Sequence, residues 1–376
     1  ELPEEGIIIG ESIYQNQKRI VRILPNDRRR HLYTVGQTGV GKSVFLTNMA
    51  VQDIQEGRGV CIIDPHGDLI ESILGLVPKE RFEDVVVFDP SDLERPIGLN
   101  TLETDPNKPE QKTFVINEWL DIFDKLYNMS EVGGPMFENY LRNAMGLLMS
   151  DVEEIPTVID IPRIFSNRDY LKKKLAKCPD PLIIEFWEKQ ALQVSKGQDL
   201  SLENVTPYIT SKFTSFISND YMRPIIAQKK STINFRKIMD EQKILLVNLA
   251  KGKIGDLNSS LLGLMIVGKL LMAAFSRVEL PEEERKDFYL YIDEFQNFTT
   301  PSITTILSEA RKYRLDLIIS HQFIAQLQDK IREAIFGNVG NMVVFRVGVK
   351  DAEFLVKQFE PVFNENDMIN LDNFVA

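Results

Sequence analysis

Seven short apolar runs rich in β-branched residues punctuate the chain: His31–Gly36, Gly59–Asp64, Asp84–Phe88, Ile244–Leu249, Phe288–Asp293, Leu315–Ser320 and Met342–Val347. Their apolar character is nearly continuous rather than alternating, the pattern of parallel strands covered on both faces by helices. Helical patterns separate them, so the expected fold is α/β with a mostly parallel sheet. At the start, Gly6–Ile13 and Lys18–Leu24 flank a polar turn and predict an antiparallel hairpin attached to that sheet.

Between Thr104 and Arg236 the strand pattern fades. Phe114, Trp119, Leu120, Phe123 and Leu126 recur at helical spacing, as do Leu141, Met145, Leu148 and Met149. Such a stretch is far too long for a strand-to-strand connection, so it reads as an inserted all-helical domain. The breaker-rich Asp105-Pro106-Asn107-Lys108-Pro109 marks its beginning. The expected organisation is 1–104 for the hairpin and first part of the nucleotide-binding domain, 105–236 for the helical insert, and 237–376 for the second part.

Length and composition agree with this. A chain of 376 residues has room for two or three domains, and 43% hydrophobic with 26% charged residues is ordinary for a globular protein. Two cysteines, Cys61 and Cys178, make no disulfide framework, and three scattered histidines make no zinc cluster. A reducing, cytoplasmic setting is therefore expected. The longest apolar stretch, Leu261–Gly268, is interrupted by Lys269, so no membrane span is expected. The chain opens on Glu1 and stops at Ala376, and is expected to be a piece of a longer protein whose other segments could carry a membrane anchor. The net charge of −11 argues against coating by nucleic acid through bulk charge. The runs Arg28–Arg30, Lys172–Lys174 and Lys229–Lys230 remain candidates for a local basic channel, or for plain solvated surface.

Gly36-Gln37-Thr38-Gly39-Val40-Gly41-Lys42-Ser43 fits the phosphate-loop pattern G-x-x-x-x-G-K-S/T at every position, between a strand and the helical run Val44–Gln55. Its glycines let backbone N–H groups curl around phosphates at a positive helix N-terminus. Lys42 is expected to pair with the β and γ phosphates of ATP, and Ser43 to ligate Mg²⁺. A second acidic element is required on a neighbouring strand, and Phe288–Glu294 supplies it. Five apolar residues lead to Asp293, for the metal, and Glu294, for the attacking water. No N-K-x-D base-reading motif occurs, which disfavours a GTPase.

Thr300-Pro301 predicts a helix start, with Ile303, Ile306, Leu307 and Ala310 on its apolar face. The strand Leu315–Ser320 follows, then His321 and Gln322. Ligands bind at the carboxyl ends of such strands, which places Gln322 beside Lys42 and Glu294 to sense the γ-phosphate. Arg311 precedes the strand and lies near the opposite edge. It either pairs with Glu309 or Asp316 on the surface or serves a neighbouring subunit's nucleotide as an arginine finger. Arg346, on a strand, is a weaker finger candidate and reads better as the partner of a core carboxylate. Asp64-Pro65-His66-Gly67-Asp68 also follows a strand, so Asp64 and His66 either cap a turn or form a second contact layer around the magnesium. Cys61 reads as core, and His31 has no assigned role.

With these residues in place, the chain resembles the HerA/FtsK group of ring ATPases, and within it the TraG/TraD-like coupling proteins of type IV secretion and conjugation. The resemblance runs through RRRHLYTVGQTGVGKS, CIIDPHGDL, the helical insert, FYLYIDEFQNF, SEARKYRLDLIISHQ and GNVGNMVVFRVG. The D-P-H-G-D turn, Arg311 eleven residues before Gln322, and the long insert are its more specific parts. It implies a RecA-like domain, a homo-hexamer with nucleotide at subunit interfaces, and Arg311 donated in trans. It also implies DNA drawn through a central pore, contact with the secretion or conjugation machinery through the helical insert, and a site of action at the inner face of the cell membrane. An ATPase that moves protein substrates without DNA fits the same nucleotide site. A module without turnover does not, because Glu294 stands beside Asp293.

Overall fold

The computed structural model describes residues 2–129, 134–192 and 202–376. A seven-stranded sheet of parallel pairs organises the first compact unit. In chain order its strands are β3 (Leu32–Val35), β4 (Gly59–Asp64), β5 (Val85–Phe88), β6 (Ile244–Asn248), β7 (Phe288–Ile292), β8 (Leu315–His321) and β9 (Asn341–Val344). Their spatial order is β5-β6-β4-β7-β8-β3-β9. Strands β4, β6, β7 and β8 are buried at every position, which is why they read as unbroken apolar runs.

The hairpin β1 (Ile7–Tyr14) and β2 (Gln17–Ile23) corrects one expectation: it forms its own two-stranded sheet. It docks instead on the helix Lys42–Gln55. The Gln52 amide donates to the Ile8 carbonyl and its oxygen accepts the Ile8 N–H, each at 2.9 Å. Ile7 and Ile23 join Phe45, Leu46 and Met49 in the core beneath. Burying these side chains is worth about 1.5–3 kcal/mol each, more than one further edge pairing would supply.

The same last turn of the helix Lys42–Gln55 is tied down a second time, through Asp53. Arg28 grips Asp53 with both terminal nitrogens, at 2.6 and 2.7 Å, and Tyr291 of β7 donates to the same carboxylate. A buried bidentate pair of this kind fixes the helix relative to β3 and β7. Arg28 thereby leaves the list of surface cations. His31 is also structural: its Nδ1 accepts the Leu317 N–H at 3.1 Å, and burial pulls its pKa down to about 4.

The second compact unit comprises Asp89–Asn234 and Asp256–Leu261. It begins before the breaker-rich Asp105–Pro109 because the outgoing and returning chains are zipped together. Leu99 N–H donates to the Ile225 carbonyl, Gly98 N–H to Thr232 Oγ1 and Asn100 N–H to Ser231 Oγ, all at 3.0 Å. Its described secondary structure outside this seam is helical, including Pro109–Tyr127, Gly134–Leu148 and Leu202–Ile217. Trp119 packs with Phe123, Phe213 and Phe216, and Trp187 with Tyr140, Phe165 and Phe186.

Among the described residues one helix, Asp256–Ser276 with its continuation to Glu279, is long and apolar enough to cross a membrane by length and composition, despite Lys269. Its most apolar window, of mean hydropathy 1.8, is 72% buried within the fold, as a core helix is.

Candidate nucleotide site

The phosphate loop leaves β3 at Val35 and enters the helix at Lys42. Gly41 holds φ at 113°, a backbone shape open to glycine and strained for other residues. At Gly36 the constraint is space: a Cβ would meet the Phe345 Cβ at 2.6 Å. Thr38, Gly39 and Val40 complete the turn, with Ser43 and Val44 exposed in the first helical turn. Lys42 folds back over the loop and donates to the carbonyls of Gly36, at 2.6 Å, and Gln37, at 2.9 Å. Burial lowers its pKa, and the nearby Asp293 and Glu294 charges oppose that shift.

Strand order explains how the acids come close. Strand β8 lies between β3 and β7, with Val35 opposite His321 and Ile292 opposite Ile319. Gln322, just beyond β8, therefore stands between the phosphate loop and the acid pair, and its amide donates to Glu294 Oε1 at 2.8 Å. The second carboxylate oxygen of Glu294 accepts the Gln296 amide at 2.6 Å. Sequence reasoning missed Gln296. Its position follows from a turn in which Glu294 itself takes φ of 47° and a 3-10 helix, Phe295–Phe298, follows. A left-handed glutamate carries no signature in its neighbours' polarity. His321 is buried and meets the Tyr33 hydroxyl through Nε2 at 2.7 Å, bracing the strand end that carries Gln322.

Asp293 is buried, and its carboxyl is pushed up to about 6 by burial, then by Glu294 and Asp64. The repulsion that raises Asp293 would be relieved by a cation, and Asp293 together with the exposed Ser43 hydroxyl at the helix start would hold one beside the loop. This set fits Mg²⁺. Asp64 closes its own turn: its carboxylate accepts the His66, Gly67 and Leu69 N–H groups at 2.8–2.9 Å. His66 is exposed on that turn.

Two arginines separate here. Arg311 lies in a 3-10 turn, Ala310–Tyr313, ahead of β8 and is exposed. Among the described residues neither surface partner considered for it pairs with it: Asp316 is buried inside the sheet and Glu309 lies 4.0 Å from Lys312. Arg346 departs from expectation. It meets no carboxylate and instead donates to the Leu371 carbonyl at 3.2 Å and Asn373 Oδ1 at 2.8 Å, because β9 ends two residues earlier and frees its side chain. The basic runs are largely consumed: Lys174 is buried between Asp151 and Glu154, Lys173 and Lys229 also face Glu154, and Arg29 pairs with Asp287. Cys61 is buried core, and burial pushes its thiol well up.

A parallel sheet that presents a phosphate loop, an acid pair and a bridging amide at the carboxyl ends of its strands defines a P-loop NTPase. The chain belongs to the HerA helicase central-domain family, whose model matches residues 7–254, and it is thereby an ATP-hydrolysing enzyme. A second family model, the TraM recognition site of TraD and TraG, matches residues 287–358. No curated protein matches the sequence. Among solved structures, the plasmid coupling protein TrwB in complex with ADP and Mg²⁺ is similar at 16% identity and a TM-score of 0.66, over 99% of this chain and 85% of that one. VirB4 of Thermoanaerobacter pseudethanolicus is similar at 13% identity and a TM-score of 0.63, over 99% of this chain and 92% of that one. At these identities the likeness is one of fold.

Proposed function

We propose that the chain is a Mg²⁺-dependent ATPase of the conjugation and type IV secretion kind that translocates DNA, and that it works as a hexamer. The observation that carries the catalytic part is the convergence of Lys42, Asp293, Glu294 and Gln322 around one sheet edge. In this reading Lys42 exchanges the Gly36 and Gln37 carbonyls for the β and γ phosphates, and the loop N–H groups from Gly39 to Val44 hold the phosphate chain. Ser43 and Asp293 would hold Mg²⁺, which would supply positive charge beside the phosphate oxygens. Glu294 takes the proton of the attacking water. Gln322 bonds Glu294 and can turn its amide to the γ-phosphate, which would free the base. Asp64 and His66 lie outside this inner group, Asp64 shaping its electrostatics.

The test is ATP hydrolysis at high protein concentration, with and without single- and double-stranded DNA, with Lys42→Ala as blank. Severalfold stimulation by one form of DNA, weakening steeply with salt as released counterions require, is the expected outcome. A second reading is favoured by the internal pairing of the basic runs and the net charge of −11: a motor that handles protein clients through the helical unit. Turnover indifferent to DNA at all salt concentrations selects it. Normal hydrolysis by Lys42→Ala removes both.

A further inference from the structure

The segment that Arg346 holds, Leu371–Phe374, lies directly on the phosphate loop. Phe374 donates its N–H to the Val40 carbonyl at 2.7 Å. Its ring fills the place where a side chain at Gly41 would project, with Cδ1 2.8 Å and Cε1 3.4 Å from that point. Yet the ring is 69% exposed. It also sits on a backbone with φ of 64°, costly for a bulky residue and typical of positions that a function maintains. Arg346 restrains the preceding residues through Leu371 and Asn373, and Gln37 N–H bonds the Arg346 carbonyl at 2.9 Å. The loop and the aromatic residue are thus braced by the same arginine.

An aromatic ring open to solvent and hydrogen-bonded through its backbone to a phosphate loop suits one part of a nucleotide. Phosphates seated in the loop carry the base one sugar away, on the side where the chain leaves the helix start, and Val44 there is 50% exposed. We infer that Phe374 is the stacking platform for the nucleobase of the bound nucleotide, with Val44 as the neighbouring apolar wall. This rests on the phosphate-loop reading of Gly36–Ser43. Stacking on one ring is indifferent to the groups at the edge of the base, so the platform takes nucleobases as a class.

The experiment compares two ligands on the full chain by calorimetry: Mg-ATP, and magnesium tripolyphosphate, which has the phosphates without the base. Phe374→Ala is expected to weaken Mg-ATP about tenfold, within the range of aromatic–base stacking, and to leave tripolyphosphate within twofold. Phe374→Trp restores Mg-ATP binding and reports it by quenching of its fluorescence. Equal weakening of both ligands makes Phe374 a mere support of the loop and overturns the proposal. Unchanged or tighter Mg-ATP binding in Phe374→Ala overturns it too, the second result marking the segment as an obstruction. Lys42→Ala keeps the two questions apart: it is expected to lose both ligands, and if it keeps both, the phosphate-loop reading itself fails and the platform falls with it.

Discussion

At the scale of single residues, the Glu294 carboxylate decides most. Each of its oxygens accepts an amide N–H, from Gln322 at 2.8 Å and Gln296 at 2.6 Å. Gln322 was legible because it follows a strand whose end must face the ligand. Gln296 was not, because its direction depends on the left-handed turn at Glu294. If Gln322 turns to phosphate as proposed, Gln296 is left to aim the Glu294 carboxylate. Gln296→Leu is therefore expected to lower kcat by about an order of magnitude with KM nearly unchanged, a fraction of the ~10²–10⁴ that a general base contributes. Steady-state ATP kinetics check it, with Glu294→Gln setting the floor. A Gln296→Leu enzyme with full kcat would show that Gln322 alone orients the base. Arg346 carries the opposite lesson. Its apolar neighbours suggested a buried strand position, and only the end of β9 at Val344 shows that it faces Leu371 and Asn373.

At the scale of elements, strands buried on both faces were readable almost to the residue: Gly59–Asp64 is the same in sequence pattern and structure. The order of those strands was not readable, since a continuous apolar run names no neighbour. Helices in the second unit show a further gap, because charges on separate helices meet only after folding. Asp121 of Pro109–Tyr127 is pushed up to about 6, by burial first and then by Asp124 and by Glu138 of Gly134–Leu148. The folded form thus keeps a proton that the unfolded chain releases near pH 4. The stability linked to that proton is complete below about pH 4 and is lost as pH rises through about 6. Asp121→Asn keeps the shape without the charge. It is expected to stabilise the protein by about 1 kcal/mol at pH ~7, a value discounted because the side chain reaches solvent, and to be neutral at pH ~4. Thermal melts at both pH values check it, and an equal gain at both would locate the effect elsewhere than in the charge.

At the scale of the whole molecule, the separation of Arg311 and Gln322 supports the proposal of a site shared between chains. Arg311 precedes β8 and Gln322 follows it, so the length of that strand separates them: seven residues, or roughly 20 Å. An arginine side chain spans less than half of that, which denies Arg311 to its own nucleotide. An exposed guanidinium whose two acidic neighbours are otherwise placed is instead suited to a second copy. A head-to-tail contact puts the same residue of every subunit at the next subunit's site, and closes into a ring when the rotation allows. Arg311→Ala is therefore expected to cut ATP turnover by about 10³-fold or more, as for other arginine fingers, with ATP affinity nearly intact. Glu294→Gln is expected to be inactive for the complementary reason. Mixed in equal amounts, the two inactive proteins form about a quarter of their interfaces from an intact Glu294 and an intact Arg311, if subunits of a closed head-to-tail ring exchange freely. Turnover should then return, peaking near the equal mixture and rising with protein concentration. If exchange is demonstrated and every mixture stays inactive, Arg311 serves its own chain's stability, and the argument for a shared site fails at its strongest point.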